Sequence, residues 1–400
     1  MTITINNEHK KLNVPNLRFP EFSGEWEEFG LSELLDFKNG LNPKPDKFGK
    51  GIKFISVMDI LNNAVITYDC IKASVDVTEK ELSDFSVEKG DMLFQRSSET
   101  LEDVGRANVY MDDKTAVFGG FVIRGKKKGE YDPQYFNYLL RSPFARKRII
   151  PMGAGAQHFN IGQEGLSKVK LHFANIEEQN KIGKMLSLLD ERISIQSKII
   201  EDLKKLKCAI IEKLYAEVKG TKYSYRQLFN IINERNKQLE YSNVLSASQE
   251  KGMVSREDLN LDIQFERSNI NTYKIVRNGD YVIHLRSFQG GFAFSEKTGV
   301  CSPAYTILRP NELLVYGYLS YYFTSREFIQ SLIIVTYGIR DGRSINVDEW
   351  LDLKVVIPSK EQQTHIVNII KSIENKIKTE EPHSNCLLNQ KKYLLRQMFI

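Results

Sequence analysis

From Glu177 to Glu217 apolar residues recur in steps of mainly four and three: Ile182, Leu186, Leu189, Ile193, Ile200, Leu203, Leu206, Ile210 and Leu214, with Gln196 in one seam position. That spacing lines one stripe of an α-helix, the narrow seam of a coiled coil. Proline is absent from the stretch and Gly183 is its one glycine, so nothing in it breaks a helix. At about 1.5 Å per residue such a helix reaches roughly 60 Å. A long helix with so narrow a stripe needs a partner helix to cover it.

Residues 361–400 supply the partner, with a second stripe at Ile366, Ile370, Ile373, Ile377, Leu387, Leu394 and Met398. Pro382, followed by the poor helix formers His383, Ser384 and Asn385, predicts a kink or a short break. Ahead of each helix the pattern is mixed. Lys53–Val57 and Asp91–Phe94 read as short strands, punctuated by Gly-Asp and Gly-Gly turns. Pro133–Ile150 reads as a helix divided by Pro143, with Phe136, Leu139, Leu140 and Phe144 at apolar positions. Residues 1 to about 13 are polar and read as a loose end.

The chain also repeats itself after about half its length. Val87-Glu88-Lys89-Gly90-Asp91-Met92-Leu93 returns as Val276-Arg277-Asn278-Gly279-Asp280-Tyr281-Val282. Glu177-Glu178-Gln179 with Ile182 returns as Glu361-Gln362-Gln363 with Ile366. Ile161 and Leu166 match Ile345 and Trp350, and Leu34-Leu35 matches Leu228-Phe229. Ile55-Ser56-Val57-Met58 matches Leu245-Ser246-Ala247-Ser248. A period this long means two similar units rather than a solenoid. The expected fold class is α/β: two similar mixed α/β globular domains, residues 14–176 and 218–360, each followed by a long helix, residues 177–217 and 361–400. The two equivalent helices are expected to pair antiparallel as a spacer, giving an internal pseudo-twofold repeat.

Composition narrows the class without deciding it. Of 400 residues 41% are hydrophobic and 27% charged, as in ordinary soluble proteins. The net charge of +5 is compatible with a polyanionic partner. Cys70, Cys208, Cys301 and Cys386 form no C-x-x-C pair, so neither a zinc site nor a disulfide framework is indicated, and a cytoplasmic location is expected. The first residues lack a secretory apolar run, and no stretch of about 18 apolar residues suggests a membrane span.

The duplicated order of motifs resembles the specificity subunit of type I DNA restriction-modification enzymes over nearly the whole chain. The features that carry the likeness are Gly90-Asp91 and Gly279-Asp280 ahead of strands, and a Gly-rich loop followed by a Glu-Gln helix start. The first such loop runs Gly153-Ala154-Gly155-Ala156-Gln157-His158-Phe159-Asn160-Ile161. The second runs Gly338-Ile339-Arg340-Asp341-Gly342-Arg343-Ser344-Ile345. The resemblance implies two target-recognition domains, each reading one half of a bipartite, asymmetric site in double-stranded DNA. It implies helices that set the gap, two docked methyltransferase (modification) subunits, and restriction/translocase subunits in the full complex. The second copy departs from the first in its Arg-richer loop and in Pro382.

Reading DNA takes Lys and Arg for phosphates and base-edge donors and acceptors for sequence. Arg suits guanine, Asn and Gln suit adenine, and Asp accepts from cytosine. The first unit offers Gln95, Arg96, Ser97 and Ser98 at a strand end, and the second offers Arg286, Ser287 and Gln289. The Gly-rich loops offer Gln157, His158 and Asn160, and Arg340, Asp341 and Arg343. Each group also reads as ordinary solvated loop or turn residues. Arg106, Arg256 and His284 rank lower. Lys126-Lys127-Lys128 and Arg146-Lys147-Arg148 are basic runs that hold backbone or are solvated faces.

Catalytic constellations are missing. Asn42-Pro43-Lys44-Pro45 is not the Asn-Pro-Pro-aromatic signature of amino methyltransferases, and Gly153-Ala154-Gly155 lacks the strand and acidic residue of a nucleotide loop. Asp112-Asp113-Lys114 resembles half of a nuclease triad, a triplet that chance supplies among 51 acidic and 56 basic residues, and the six His show no metal-ligand spacing. The expectation is a non-catalytic DNA-recognition subunit with no cofactor and no metal. The alternatives are a single-chain nuclease or methyltransferase with fused recognition domains, and a coiled-coil scaffold without a nucleic-acid role.

Overall fold

The computed structural model describes residues 13–248, 251–255, 267–284, 291–337 and 344–400. The chain forms two compact units: Met1–Ser197 with Pro382–Ile400, and Lys198–Glu381.

In the first unit, a four-stranded antiparallel sheet runs in the order Leu35–Asn39, Val122–Lys127, Met92–Gln95, Ala107–Val109. A second four-stranded sheet orders Ser74–Val75, Phe48–Ile55, Ala116–Phe118 and Ser86–Val87, with Phe54 and Val117 paired in parallel. Glu27–Gly30 pairs with Lys170–Phe173 and ties the start of the unit to the strand before its long helix. The core gathers Leu31, Leu35, Phe94, Phe136, Leu139 and Ile161, all buried. The Pro143 division holds: helices Pro133–Arg141 and Pro143–Ile149 are capped by Asp132 and Ser142, whose side chains accept from the Tyr135 and Ala145 N–H groups. Val57, expected in a strand, instead opens the helix Val57–Asn62. Ser56 and Asp59 form a capping box that captures the first turn.

The second unit repeats the sheet: Phe229–Ile232, Thr306–Pro310, Tyr281–Ile283, Phe292–Phe294. Thr221–Ser224 pairs with Lys354–Ile357 as Glu27–Gly30 does with its partner. Its core is more aromatic, built on Tyr225, Tyr281, Phe328 and Trp350. The Tyr225 and Trp350 rings stack with centroids 4.2 Å apart.

The sequence repeat is a structural one. Gly90 and Gly279 adopt φ of 95° and 94°, a region only glycine enters without strain. In both turns the following aspartate is buried and accepts from the backbone N–H three residues earlier, Glu88 for Asp91 and Arg277 for Asp280. Asp91 also accepts from the Lys127 N–H at 2.9 Å, whereas Asp280 is gripped by Arg309 through Nε at 2.9 Å and Nη2 at 3.0 Å. Gln179 and Gln363 are buried latches. Gln179 accepts from the Asp132 N–H and donates to the Ala174 carbonyl. Gln363 accepts from the Val315 N–H and donates to the Leu313 and Pro358 carbonyls.

The long helices are Ile176–Ala216 and Lys360–Gln397. Pro382 does not end the second: the helix runs through it. Proline removes one i→i−4 bond, and contacts within each unit hold the helix on either side. Before the proline, Lys207 pairs with Glu374 at 3.3 Å and Lys204 with Glu381 at 2.9 Å. After it, Lys391 pairs with Asp190 at 2.5 Å, while Met398 and Phe399 join the core that holds Ile182 and Leu186. Within each unit the helix segments therefore run antiparallel. Gln196 is buried in its seam position, but Leu206, assigned to the stripe, is 48% exposed. Leu188, Ile195 and Ile199 are exposed as well.

Candidate nucleic-acid interface

In the first unit the chain folds two separate candidate segments onto one edge. The strand Met92–Gln95 continues into Ser97–Ser98, which pairs antiparallel with Phe159–Asn160 of the Gly-rich loop. Asn160 is the Cα partner of Ser97, and the Ser97 hydroxyl donates to Asn160 Oδ1 at 2.5 Å. The Ile161 N–H donates to the Arg96 carbonyl at 2.9 Å. Ala154 and Asn160 exchange two backbone hydrogen bonds, which closes the loop and leaves Gln157 and His158 exposed at its tip. Gly155 sits at φ 144°, and a Cβ there would stand 2.0 Å from the His158 carbonyl oxygen, so the loop needs glycine at that point.

Arg96 stands between this hairpin and the turn before Val122–Lys127. Its N–H donates to the Phe121 carbonyl at 2.9 Å and its guanidinium to the Gly120 carbonyl at 3.3 Å. Gln95 departs from the expectation. It is 5% exposed and its amide nitrogen donates to the Ser97 carbonyl at 2.9 Å, so it braces the strand end from inside rather than facing outward. All four residues of Met92–Gln95 are buried, so both faces of this central strand are covered. Ser98 Oγ accepts from the Thr100 N–H. Arg106 is exposed and paired with Asp103 at 2.5 Å.

Positive charge backs this edge. Arg146 donates to the Glu102 and Val104 carbonyls, beneath the segment that leads to Arg106. Burial, with Arg106 nearby, pulls its guanidinium down to about 10, so it keeps its proton at neutral pH. The other basic-run residues are largely tied to the fold. Lys126 pairs with Glu88, Lys127 donates to the Tyr131 carbonyl, Lys128 to the Ser32 carbonyl and Arg148 to the Lys170 carbonyl. Asp112 is a turn brace, accepting from the Tyr68 and Lys114 N–H groups.

In the second unit Arg286, Ser287, Gln289, Arg340, Asp341, Arg343 and Arg256 lie outside the described residues. The flanking elements are described. Tyr281–Ile283 leads toward the first group, and Thr336–Tyr337 pairs with Ser344–Ile345 on either side of the second. His284 is described, with its N–H donating to the Gly291 carbonyl and its ring beside Tyr305.

Two residues of the first-unit edge escaped the sequence reading. Phe121 is 68% exposed, and Asn42 is exposed beside Gly120. The available signal was an aromatic residue directly after a Gly-Gly turn, which reads only as punctuation without the neighbouring strands. Among the described residues no group of three or more His, Cys, Asp or Glu is placed to hold a metal ion. No helix of the described residues is long and apolar enough to cross a membrane.

Residues 23–205 match the family model of the type I restriction modification DNA specificity domain. The chain is 22% identical to the type I restriction enzyme MjaX specificity subunit of Methanocaldococcus jannaschii over 97% of its own length and 96% of that protein's. Its fold matches the S subunit of a type I restriction-modification system from M. genitalium, with a TM-score of 0.56, 15% identity, and 97% and 99% of the two chains covered. A chain from a structure on complex assembly and conformational transition of the type I R-M system also gives a TM-score of 0.56, at 13% identity, with 92% and 96% covered. With the duplicated architecture, these matches make the chain similar along nearly its whole length to type I restriction enzyme specificity subunits, with residues 23–205 matching the DNA specificity domain itself.

Proposed function

We propose that each unit reads one half of a bipartite, asymmetric DNA site, and that the paired helices set the spacing between the halves. The observation that carries this reading is the duplication itself. Both units contain the same four-strand sheet order, the same Gly-Asp turn and the same buried glutamine latch, while the loops that follow those strands differ in sequence. A common scaffold with divergent polar loops is what two different half-sites require. On this reading Arg96, Ser97, Ser98, Gln157, His158 and Asn160 contact one half-site. Arg286, Ser287, Gln289, Arg340, Asp341 and Arg343 contact the other.

The long helices dock two methyltransferase subunits. Support comes from apolar side chains that the helix contacts leave exposed, Leu188 and Ile195 in the first unit and Ile199 and Leu206 in the second. Restriction and translocase subunits join that assembly, in the cytoplasm. The test is methylation mapping: DNA exposed to this chain with its modification subunits is sequenced for methylated adenine. A split motif, two short blocks around a gap of fixed length, is expected. A single continuous motif would overturn the one-unit-per-half reading.

A further inference from the structure

The Phe121 ring is the one large apolar group that the first-unit edge exposes beside Arg96, and its backbone is pinned from several sides. The Arg96 N–H binds its carbonyl at 2.9 Å and the Arg96 guanidinium binds the carbonyl of Gly120 at 3.3 Å. The Val122 N–H donates to the Gly119 carbonyl at 2.8 Å, closing the turn, and the Gly119 N–H donates to the Ile55 carbonyl at 3.0 Å. A Cβ at Gly119 would meet the Phe54 ring at 2.6 Å, whereas one at Gly120 would have to displace the exposed Asn42 side chain. The turn is therefore a mount fixed by backbone hydrogen bonds. Phe121 is 68% exposed there and offers an apolar surface to a partner.

The chemistry around the mount suggests what that is. Asn160, Gln157 and Asn42 are exposed amides, the side chains that pair with the N6/N7 edge of adenine in the major groove. Each adenine edge there lies beside the 5-methyl group of a thymine, in its own pair or the next, and phenylalanine makes the apolar contact that distinguishes thymine. We infer that Phe121 is a specificity-determining residue that packs on a thymine methyl in the half-site read by the first unit. This rests on the proposed reading that the Ser97/Asn160 edge faces DNA.

The test uses the full-length chain co-purified with its modification subunits. The duplex carries the site selected from random DNA, and single thymines are replaced in turn by uracil, which removes only the methyl group. For the wild type, one uracil position in one half-site should weaken binding about fourfold, the worth of one methyl-sized group taken from water. Phe121→Ala should bind the thymine duplex about fourfold or more weaker and lose all response to uracil at that position. Phe121→Leu should keep part of the response. Wild-type affinity in Phe121→Ala, or a uracil response that persists in it, would overturn the inference. So would a signal from 2-aminopurine unstacking that depends on Phe121 without any uracil response, which marks a wedge instead of a methyl contact. Asn160→Ala separates the two readings. If it relaxes discrimination while Phe121→Ala does not, the edge faces DNA and only the Phe121 inference fails. If neither variant changes binding, the edge itself is misassigned.

Discussion

Ser97 and Asn160, 63 positions apart in the chain, meet as partners across a two-residue antiparallel ladder, with the serine hydroxyl donating to the asparagine amide oxygen. That bond orients the Asn160 amide and leaves it exposed at the edge. Asn160→Ala is expected to relax discrimination at one half-site by about 1–3 kcal/mol, the worth of one good bidentate base contact. Arg96→Ala should act on the same half-site. Competition binding against single-base variants of the site checks both, and equal relaxation of the two halves counts against the assignment.

Gln179 holds the start of the first long helix to its domain from a buried position. Gln179→Leu strands the Asp132 N–H and the Ala174 carbonyl. Buried groups left without partners cost about 1–3 kcal/mol each, so urea denaturation should report a loss in that range or above. Gln363→Leu should do the same to the second unit, where Val315, Leu313 and Pro358 lose their partner. Hydrogen exchange at the Asp132 and Val315 amides should accelerate in the respective variants.

Gly90→Ala and Gly279→Ala test the matched turns. Space is not the obstacle, since a Cβ would come no nearer than 3.3 Å to Lys127 at Gly90 and 3.5 Å to Tyr316 at Gly279. The positive φ is, and it should cost about 1–2 kcal/mol at each position. Equal losses in the two variants are expected from denaturant midpoints at unchanged m-value.

Pro382 stands inside a helix that continues past it on both sides. Pro382→Ala restores the missing backbone donor, and thermal unfolding should show stabilisation of up to about 3 kcal/mol. A drop in stability would mean that the proline matches a bend which the packing requires.

Burial pushes the Cys301 thiol up to about 12. A folded-state pKa above the unfolded value of about 8.5 contributes stability that is complete below the lower value and is lost as pH rises toward the higher one. Stability should therefore decline between about pH 8.5 and 12, and Cys301→Ala should flatten that limb once its constant packing loss is subtracted. At neutral pH an alkylating reagent should reach the exposed Cys208 and Cys386 well before Cys301, as peptide mass spectrometry would show.

Much of the architecture is legible in the sequence. The four-three spacing from Ile182 to Leu214 announced a long helix because helical period is a local property of the chain. The matched Gly-Asp turns were legible because a positive φ restricts the residue type, and a repeated restriction leaves a repeated signature. At three places a local rule met a competing contact. Val57 followed strand propensity on paper, but the Ser56 and Asp59 side chains capture the helix start. Pro382 predicted a kink or a short break, and no break occurs: the helix is continuous through it, with ion pairs on either side. Gln95 sat in a polar cluster that suggested exposure, while the strand turned it inward.

From the amino-acid order alone came the duplication, the two helices, the α/β class and the short list of polar loop residues, because periodicity, glycine turns and composition act over a few residues at a time. Which of those residues share an edge was decided only by tertiary structure. The pairing of Ser97 with Asn160 and the seating of Phe121 against Arg96 depend on hydrogen bonds between distant segments, and no spacing along the chain encodes which strand a given strand will meet.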